Sequence, residues 1–198
     1  MRLLGIPRYA AQLFYGAVLK IGAGKCGGFP MARTPLEWYG LKRMSFGSRL
    51  QIGAGSWLAV LDPSEECRDP GLDVGSGTVL GNYNHIIAAG RITIGENVLT
   101  ADHVYISDNT HEYRDVDVPV MRQPVRFLRE TAVGDGSWIG ENVCIFGAKI
   151  GRHCVIGANS VVNRDIPDCS VAAGAPARVI RRYDPEKNCW VRTEGEGS

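Results

Sequence analysis

"VGDGSWIGENVCIFGAKIGRHCVIGANSVV", residues 133–162, decides the fold. Val133, Ile139, Ile145, Ile150, Ile156 and Val162 open successive units, each six residues long except for one of five. An amphipathic helix would need apolar residues at spacings of three and four, which a steady six does not supply. Within the units Ser137, Val143, Cys154 and Ser160 stand four places after the opening aliphatic and fall on its side. That is the period-two alternation of a short strand. A glycine often follows the aliphatic and tolerates tight corners, and polar pairs such as Glu141-Asn142 suit turns. Each unit therefore reads as a strand plus a corner, and three units as one triangular coil. Stacked coils pair strand on strand at ~4.8 Å around a dry aliphatic core.

The same beat extends toward the N-terminus through Ile106, Thr100, Ile94, Ile86, Leu80 and Val74, with Val98, Val104 and Thr110 at the second inward position. A fragment at Phe46, Ile52 and Leu58 comes earlier, and "KIG" at 20–22 is a fainter trace. These units predict about four to five coils, a prism roughly 20–24 Å tall. The beat breaks twice. Residues 61–73 are polar and rich in Pro and Gly, a surface loop. Residues 112–132 carry Val116, Val118, Val120, Val125, Phe127 and Leu128, too apolar for a solvated tether, so this loop is expected to pack on a prism face of its own or a neighbouring subunit. The expected organisation is a cap with a helix and an irregular coil at 1–45, a β-helix at 46–183 and a tail at 184–198.

Length and composition bound the rest. The 198 residues are 44% hydrophobic and 22% charged, enough for one packed domain, and a net charge of +1 argues against a nucleic-acid binder. Cys26, Cys67, Cys144, Cys154, Cys169 and Cys189 are too scattered for a zinc knuckle or a disulfide scaffold, which predicts free thiols and a cytoplasmic protein. Residues 1–20 have apolar positions at helical spacing, interrupted by Pro7 and Arg8, and fit neither a signal peptide nor a membrane span. No acidic residue precedes Glu37. Two uses of this helix stay open: a cap on the core, or a contact with an anionic membrane, at its inner face.

The run from Val133 to Asp184, closing with "RDIP" and "GAPAR", resembles the hexapeptide-repeat acyltransferases, and in particular their sugar O-acetyltransferases. The resemblance covers about residues 74–183 strongly and 20–60 weakly. It implies an all-β fold, a left-handed parallel β-helix with a short N-terminal helix and a C-terminal capping segment. It also implies acetyl-CoA as donor and a homotrimer whose active sites lie between subunits, reached by a loop such as 112–132.

The segment "SDNTHEY", 107–113, is similar to the family stretch that carries the catalytic histidine, which places His111 as general base. The chemistry needs one, because a hydroxyl attacks poorly unless its proton is removed, and imidazole titrates near neutrality. His111 closes a unit and is expected at a prism corner, with Asp108, Glu112 or Asp115 able to fix its tautomer. The resemblance further implies Asn82 beside the reacting groups, and with Tyr113 toward the acceptor. Along the cofactor it implies Asn82, Trp138, Gly140, Ala158, Asn163, Arg164, Arg178 and Arg181, the last two for nucleotide phosphates. Trp138 could equally serve a subunit interface, and the arginines a solvated terminus. Glu141 stands where relatives have a small polar residue near the cofactor. "AAG" at 88–90 replaces the aspartates of galactoside-type relatives, which points instead to the branch acting on lipopolysaccharide, capsule or other surface-glycan precursors.

Other readings weigh less. "GAGKCGG" at 22–28 lacks the spacing of a phosphate loop. A zinc enzyme of the γ-carbonic-anhydrase type needs three converging imidazoles, and His85, His103, His111 and His153 offer no such set, so no metal is expected. N-acetylation of an amino or nucleotide sugar uses the same machinery and differs only in acceptor. A non-catalytic repeat scaffold would not need the "RDIP" to "GAPAR" region.

Overall fold

The computed structural model describes residues 8–33 and 36–193. Helix α1 (Arg8–Gly22) leads into a prism. Its first coil is β1 (Lys25–Cys26), β2 (Met31–Ala32) and β3 (Leu36–Tyr39), and its second is β4 (Met44–Phe46), β5 (Gln51–Ile52) and β6 (Ser56–Val60). The third is β7 (Gly71–Val74), β8 (Val79–Leu80) and β9 (His85–Ala88), the fourth β10 (Arg91–Ile94), β11 (Leu99–Thr100) and β12 (Tyr105–Ser107). The chain then leaves the prism as an antiparallel hairpin, β13 (Asn109–His111) and β14 (Val125–Phe127). It returns as β15 (Thr131–Val133), β16 (Trp138–Ile139) and β17 (Cys144–Phe146), and closes a sixth coil with β18 (Lys149–Ile150), β19 (Val155–Ile156) and β20 (Val161–Val162). Last come β21 (Ser170–Gly174), β22 (Ala177–Asp184) and β23 (Cys189–Arg192).

Three sheets form the faces: β1-β4-β7-β10-β15-β18 is the first, β2-β5-β8-β11-β16-β19-β21-β22-β23 the second, and β3-β6-β9-β12-β17-β20 the third. The coil-to-coil pairings are parallel, whereas β22 and β23 add antiparallel strands beyond β21. The architecture is a left-handed parallel β-helix. Six coils at ~4.8 Å place the outermost two about 24 Å apart.

The sequence period explains this stacking. Ile52, Leu80, Thr100, Ile139, Ile156 and Ala172 follow one another up the second face, each at most 2% exposed. Between coils the amides are met in register: Gly53 N–H donates to Leu80 O, Ala101 N–H to Ile139 O and Gly140 N–H to Ile156 O, all at 2.8–2.9 Å. Inward polar residues are satisfied as well. Thr78 Oγ1 donates to Gly95 O at 2.7 Å, and the buried Asn84 gives a hydrogen bond to Thr100 Oγ1 and accepts one from Val104 N–H.

The corners refine the reading of the glycines. Left-handed φ falls two residues further on, at Gly77, Asn97, Gly136 and His153 on the first–second edge and at Gly55, Tyr83, His103, Asn142 and Asn159 on the second–third edge. The glycine directly after the aliphatic is needed for closeness: a Cβ at Gly75 would lie 2.5 Å from the Gly95 carbonyl carbon.

Several expectations need correction. There are six three-strand coils among the described residues, not four to five, because β1, β2 and β3 already make one, with small inward residues such as Ala32. "KIG" at 20–22 ends α1 and is not a repeat unit. Thr110 is not inward, since it lies on the hairpin. Strand structure begins again at Gly71 and at Thr131, inside the two expected loops, and β22–β23 occupy part of the expected tail. Residues 1–7, 34–35 and 194–198 of the expected cap and tail lie outside the described residues. All six cysteines are free thiols. Ile139→Asp should destabilise the fold by at least about 4 kcal/mol, because a buried carboxylate there has no partner. Denaturant unfolding of the variant measures this, and a loss under about 1 kcal/mol would mean the column is not the core it is taken for.

Candidate active site

His111 is exposed on β13, where its backbone pairs with Val125. It does not close a prism corner as expected. The chain leaves the third face after Ser107, and the corner itself is taken by Asp108, which is fully buried. The Asp108 carboxylate accepts from Ala89 N–H at 2.7 Å and Gly90 N–H at 2.8 Å, and Asn109 Nδ2 donates to it at 3.0 Å. Asn109 also donates to Ile87 O, and Leu128 N–H to Asp108 O, so both hairpin strands are fastened to the third–first edge. "AAG" at 88–90 is thus the floor of this anchor. Phe127 lies over Gly90, where a Cβ would sit 2.2 Å from its ring.

None of the three carboxylates expected to orient His111 does so among the described residues. Asp108 is spent on the anchor. Glu112 binds Arg114 and the Tyr113 and Arg114 amides, which hold its carboxyl down to about 2, and Asp115 accepts from Asp117 N–H. Beyond His111 the loop turns through Gln123, which is buried and donates to Asp115 O and Val118 O. Its tip does not pack on its own prism: Val116 is 92% exposed and Met121 86%. Tyr113 is exposed on the same excursion.

A second group of residues lies along the second–third edge. Asn82 accepts from Ala54 N–H and donates its amide to Asp102 Oδ2 at 3.0 Å, while its backbone N–H reaches Asp102 Oδ1 at 2.7 Å. These Asn82 donors hold the Asp102 carboxyl below the usual range. Asp102 N–H in turn donates to Glu141, whose other oxygen is 3.1 Å from His103 Nδ1. The Glu141 charge is therefore engaged along its own corner. His103 stacks on exposed Tyr83 with ring centroids 5.1 Å apart. Gly140 and Ala158 are stacked one coil apart on this edge, and Trp138 projects outward from the neighbouring second face, 49% exposed.

The basic residues gather at the C-terminal end. Arg164 and Arg178 line one cleft with Asp165, Pro167 and Arg182, and Asn163 is exposed beside it. Arg181 does not line this cleft; Arg182, which the motif comparison passed over, does. Arg129, just after β14, donates to Gly147 O and pairs with Asp165, so the hairpin that carries His111 is tied to the arginine cleft.

One chain thus sorts the expected site into two groups. His111, Asn163 and Arg164 belong to the third–first edge, and Arg178, on β22 of the second-face sheet, meets Arg164 in the cleft at the C-terminal end; Asn82, Gly140 and Ala158 belong to the second–third edge, with the third face between. Sequence reasoning weighed Asp108 only as a partner of His111, and it passed over Asp102. A buried carboxylate capping two amides has no sequence signature beyond its place at the last beat before the break. His85 on the third face, His103 and His153 at two different edges and His111 on the hairpin do not converge, and no cluster of three or more His, Cys, Asp or Glu among the described residues could hold a metal ion.

No family model matches the chain. Over 133 residues, 66% of this chain, it is 37% identical to a probable acetyltransferase of Mycobacterium tuberculosis, and over 120 residues, 57% of this chain, 38% identical to an Escherichia coli protein named for O-acetyl transfer in lipopolysaccharide biosynthesis. The matches span 44% and 61% of those relatives' lengths. Among solved structures, an N-acyltransferase of Bacillus cereus, complexed with dTDP-4-amino-4,6-dideoxyglucose and coenzyme A, superimposes with a TM-score of 0.70 at 18% identity, covering 86% of this chain and 90% of that one. The resemblance to hexapeptide-repeat acetyltransferases is borne out, and so is the fold it implied.

The anchor has a measurable signature. Burial pushes the Asp108 carboxyl above the ordinary range, against the pull of the Ala89, Asn109 and Gly90 donors. The folded protein then binds that proton more tightly than the unfolded chain. This group's contribution is fully present below the unfolded carboxylate value and is lost as pH rises through the raised folded one. Asp108→Asn should remove that dependence and cost about 1–3 kcal/mol near neutrality, by leaving a buried amide without an acceptor. Denaturant titrations at several pH values check it; equal stability with an unchanged pH slope would contradict the anchor.

Proposed function

We propose that the protein is an acetyl-CoA-dependent O-acetyltransferase acting on a hydroxyl of a sugar or surface-glycan precursor, with His111 as general base and the homotrimer as the working unit. The observation that carries this reading is the third–first edge. There an anchored hairpin presents an exposed histidine, and an Arg129–Asp165 pair ties it to a cleft lined by Arg164 and Arg178. A base held beside an anion site is what transfer from a nucleotide-bearing thioester needs. The names of the relatives supply the acyl class, and the coenzyme A of the Bacillus cereus neighbour the donor class.

In this mechanism the His111 ring takes the proton of the acceptor hydroxyl as its oxygen attacks the thioester carbonyl. The tetrahedral oxyanion collapses, the C–S bond breaks, and the imidazolium returns the proton to the departing thiolate. Arg164 and Arg178 hold the nucleotide phosphates, with Arg182 in the place first given to Arg181. Trp138, Gly140 and Ala158 follow the pantetheine arm, and Asn82 and Tyr113 approach the acceptor.

Two edges separated by a face argue for assembly: the Asn82 edge of one copy facing the His111 edge of another completes the site. The apolar loop tip, with Val116 and Met121 bare in the single chain, then finds its cover on the neighbour. Alanine at His111 should slow thiol release from acetyl-CoA with a glycan acceptor by about 100-fold or more. Turnover within a few-fold of the native chain would remove His111 from the chemistry. The same panel should include amino sugars, because faster turnover on an amine would make the enzyme an N-acetyltransferase.

A further inference from the structure

Helix α1 has apolar residues on both sides. On its inner side Leu19 is fully buried, Tyr15 meets Trp38 edge-on at 5.8 Å, and Gly16 is so close to Phe29 that a Cβ would lie 2.5 Å from its ring. On its outer side Leu13 is 45% exposed, Phe14 64% and Ile21 84%. A helix that is apolar all round is ordinarily buried, so the outer stripe wants a cover of its own. The helix has 15 residues, and no helix among the described residues is long and apolar enough to cross a membrane.

The charges around the stripe select the cover. From residue 8 to residue 36 the sequence holds Arg8, Lys20, Lys25 and Arg33 and no acid, although the whole chain is nearly neutral at +1. Lys20, Lys25, Arg33 and, just beyond, Lys42 are exposed. A second copy covering this stripe with its own α1 would set these cations against like charges. An anionic bilayer offers headgroup charge for the lysines and acyl chains for Leu13, Phe14 and Ile21.

We propose that α1 is a membrane-surface helix that lays its Leu13–Phe14–Ile21 stripe into the interface of an anionic bilayer, docking the prism by its N-terminal end. Gln12 of α1 lines a cleft with Arg33, Asn82 and Asp102, but from the Leu19 side of the helix, so docking through the opposite Leu13–Phe14–Ile21 stripe leaves that edge open. The inference stands apart from the proposed acetyl transfer.

The test is co-sedimentation of the full chain with vesicles of phosphatidylcholine alone or mixed with phosphatidylglycerol, at low and high salt. Binding to the mixed vesicles should exceed binding to phosphatidylcholine at least tenfold, weaken with salt, and drop at least tenfold in Phe14→Ser/Ile21→Ser. Lys20→Gln/Lys25→Gln, which leaves the stripe intact, should lose mainly the preference for anionic lipid. Circular dichroism of each variant establishes that it is folded. Absence of binding to anionic vesicles by the folded native chain overturns the proposal, as does unchanged binding of the serine variant. A fall in oligomer size of the serine variant by light scattering, without vesicle binding by the native chain, would assign the stripe to a second copy instead.

Discussion

Every coil of this molecule must offer the next one the same outline, because backbone amides of one coil donate to carbonyls of the next and the aliphatic column stands directly behind them. Gly53 on Leu80, Ala101 on Ile139 and Gly140 on Ile156 are three rungs of that ladder. A residue out of step either buries a polar group or breaks a rung, costing on the order of 1–3 kcal/mol for each amide left without a partner. The sequence therefore repeats, and long departures from the repeat are confined to places where the ladder can be rejoined in register. The loop ahead of Gly71 and the hairpin that starts at Asp108 both leave from the third–first edge and re-enter on the first face. Phe127 N–H donates to Glu66 across them, so the two excursions brace each other.

Function follows from where those departures fall. A rigid column gives precise positions but flat faces, and a concave site has to be made by something added to an edge or by a neighbouring column. The His111 hairpin is the addition. It is held by Asp108 and Asn109 at its base and by Arg129 and Asp165 on its return, which leaves the histidine on a supported strand. The second–third edge has no such addition; it has a hydrogen-bonded ladder from Ala54 through Asn82 and Asp102 to Glu141. Two different edges, each finished in its own way, suit an assembly in which unlike edges meet.

Much of the column was legible because a six-residue aliphatic beat has no helical explanation. Ile139 and Ile156 sit where that beat puts them, and Val98, Val104 and Val143 fill the second inward position. The first coil was illegible for the same reason: Ala32 and the irregular spacing of Lys25–Tyr39 give no beat, and the pairing of β1 with β4 supplies the structure that local sequence does not. Thr110 and His111 were misplaced because the period carries on in the letters for one unit after the chain has left the prism. Side-chain networks were the least readable part. Asp108 and Asp102 differ in environment, one buried and pushed up, one held down by Asn82, and nothing in "SDNT" or "TADH" distinguishes them. Arg182, not Arg181, lines the cleft, and nothing in "GAPARVIRR" separates the two.

In the proposed enzyme a working site needs the His111 edge of one copy and the Asn82 edge of another. Co-expression of His111→Ala and Asn82→Ala chains, each inactive alone and each folded by circular dichroism, measures it directly. Mixed assemblies carrying both chains should regain a substantial fraction of native thiol release, since some seams then pair an intact histidine with an intact asparagine. Mixed assemblies as inactive as either parent would mean that both residues must come from one chain, and would contradict the account.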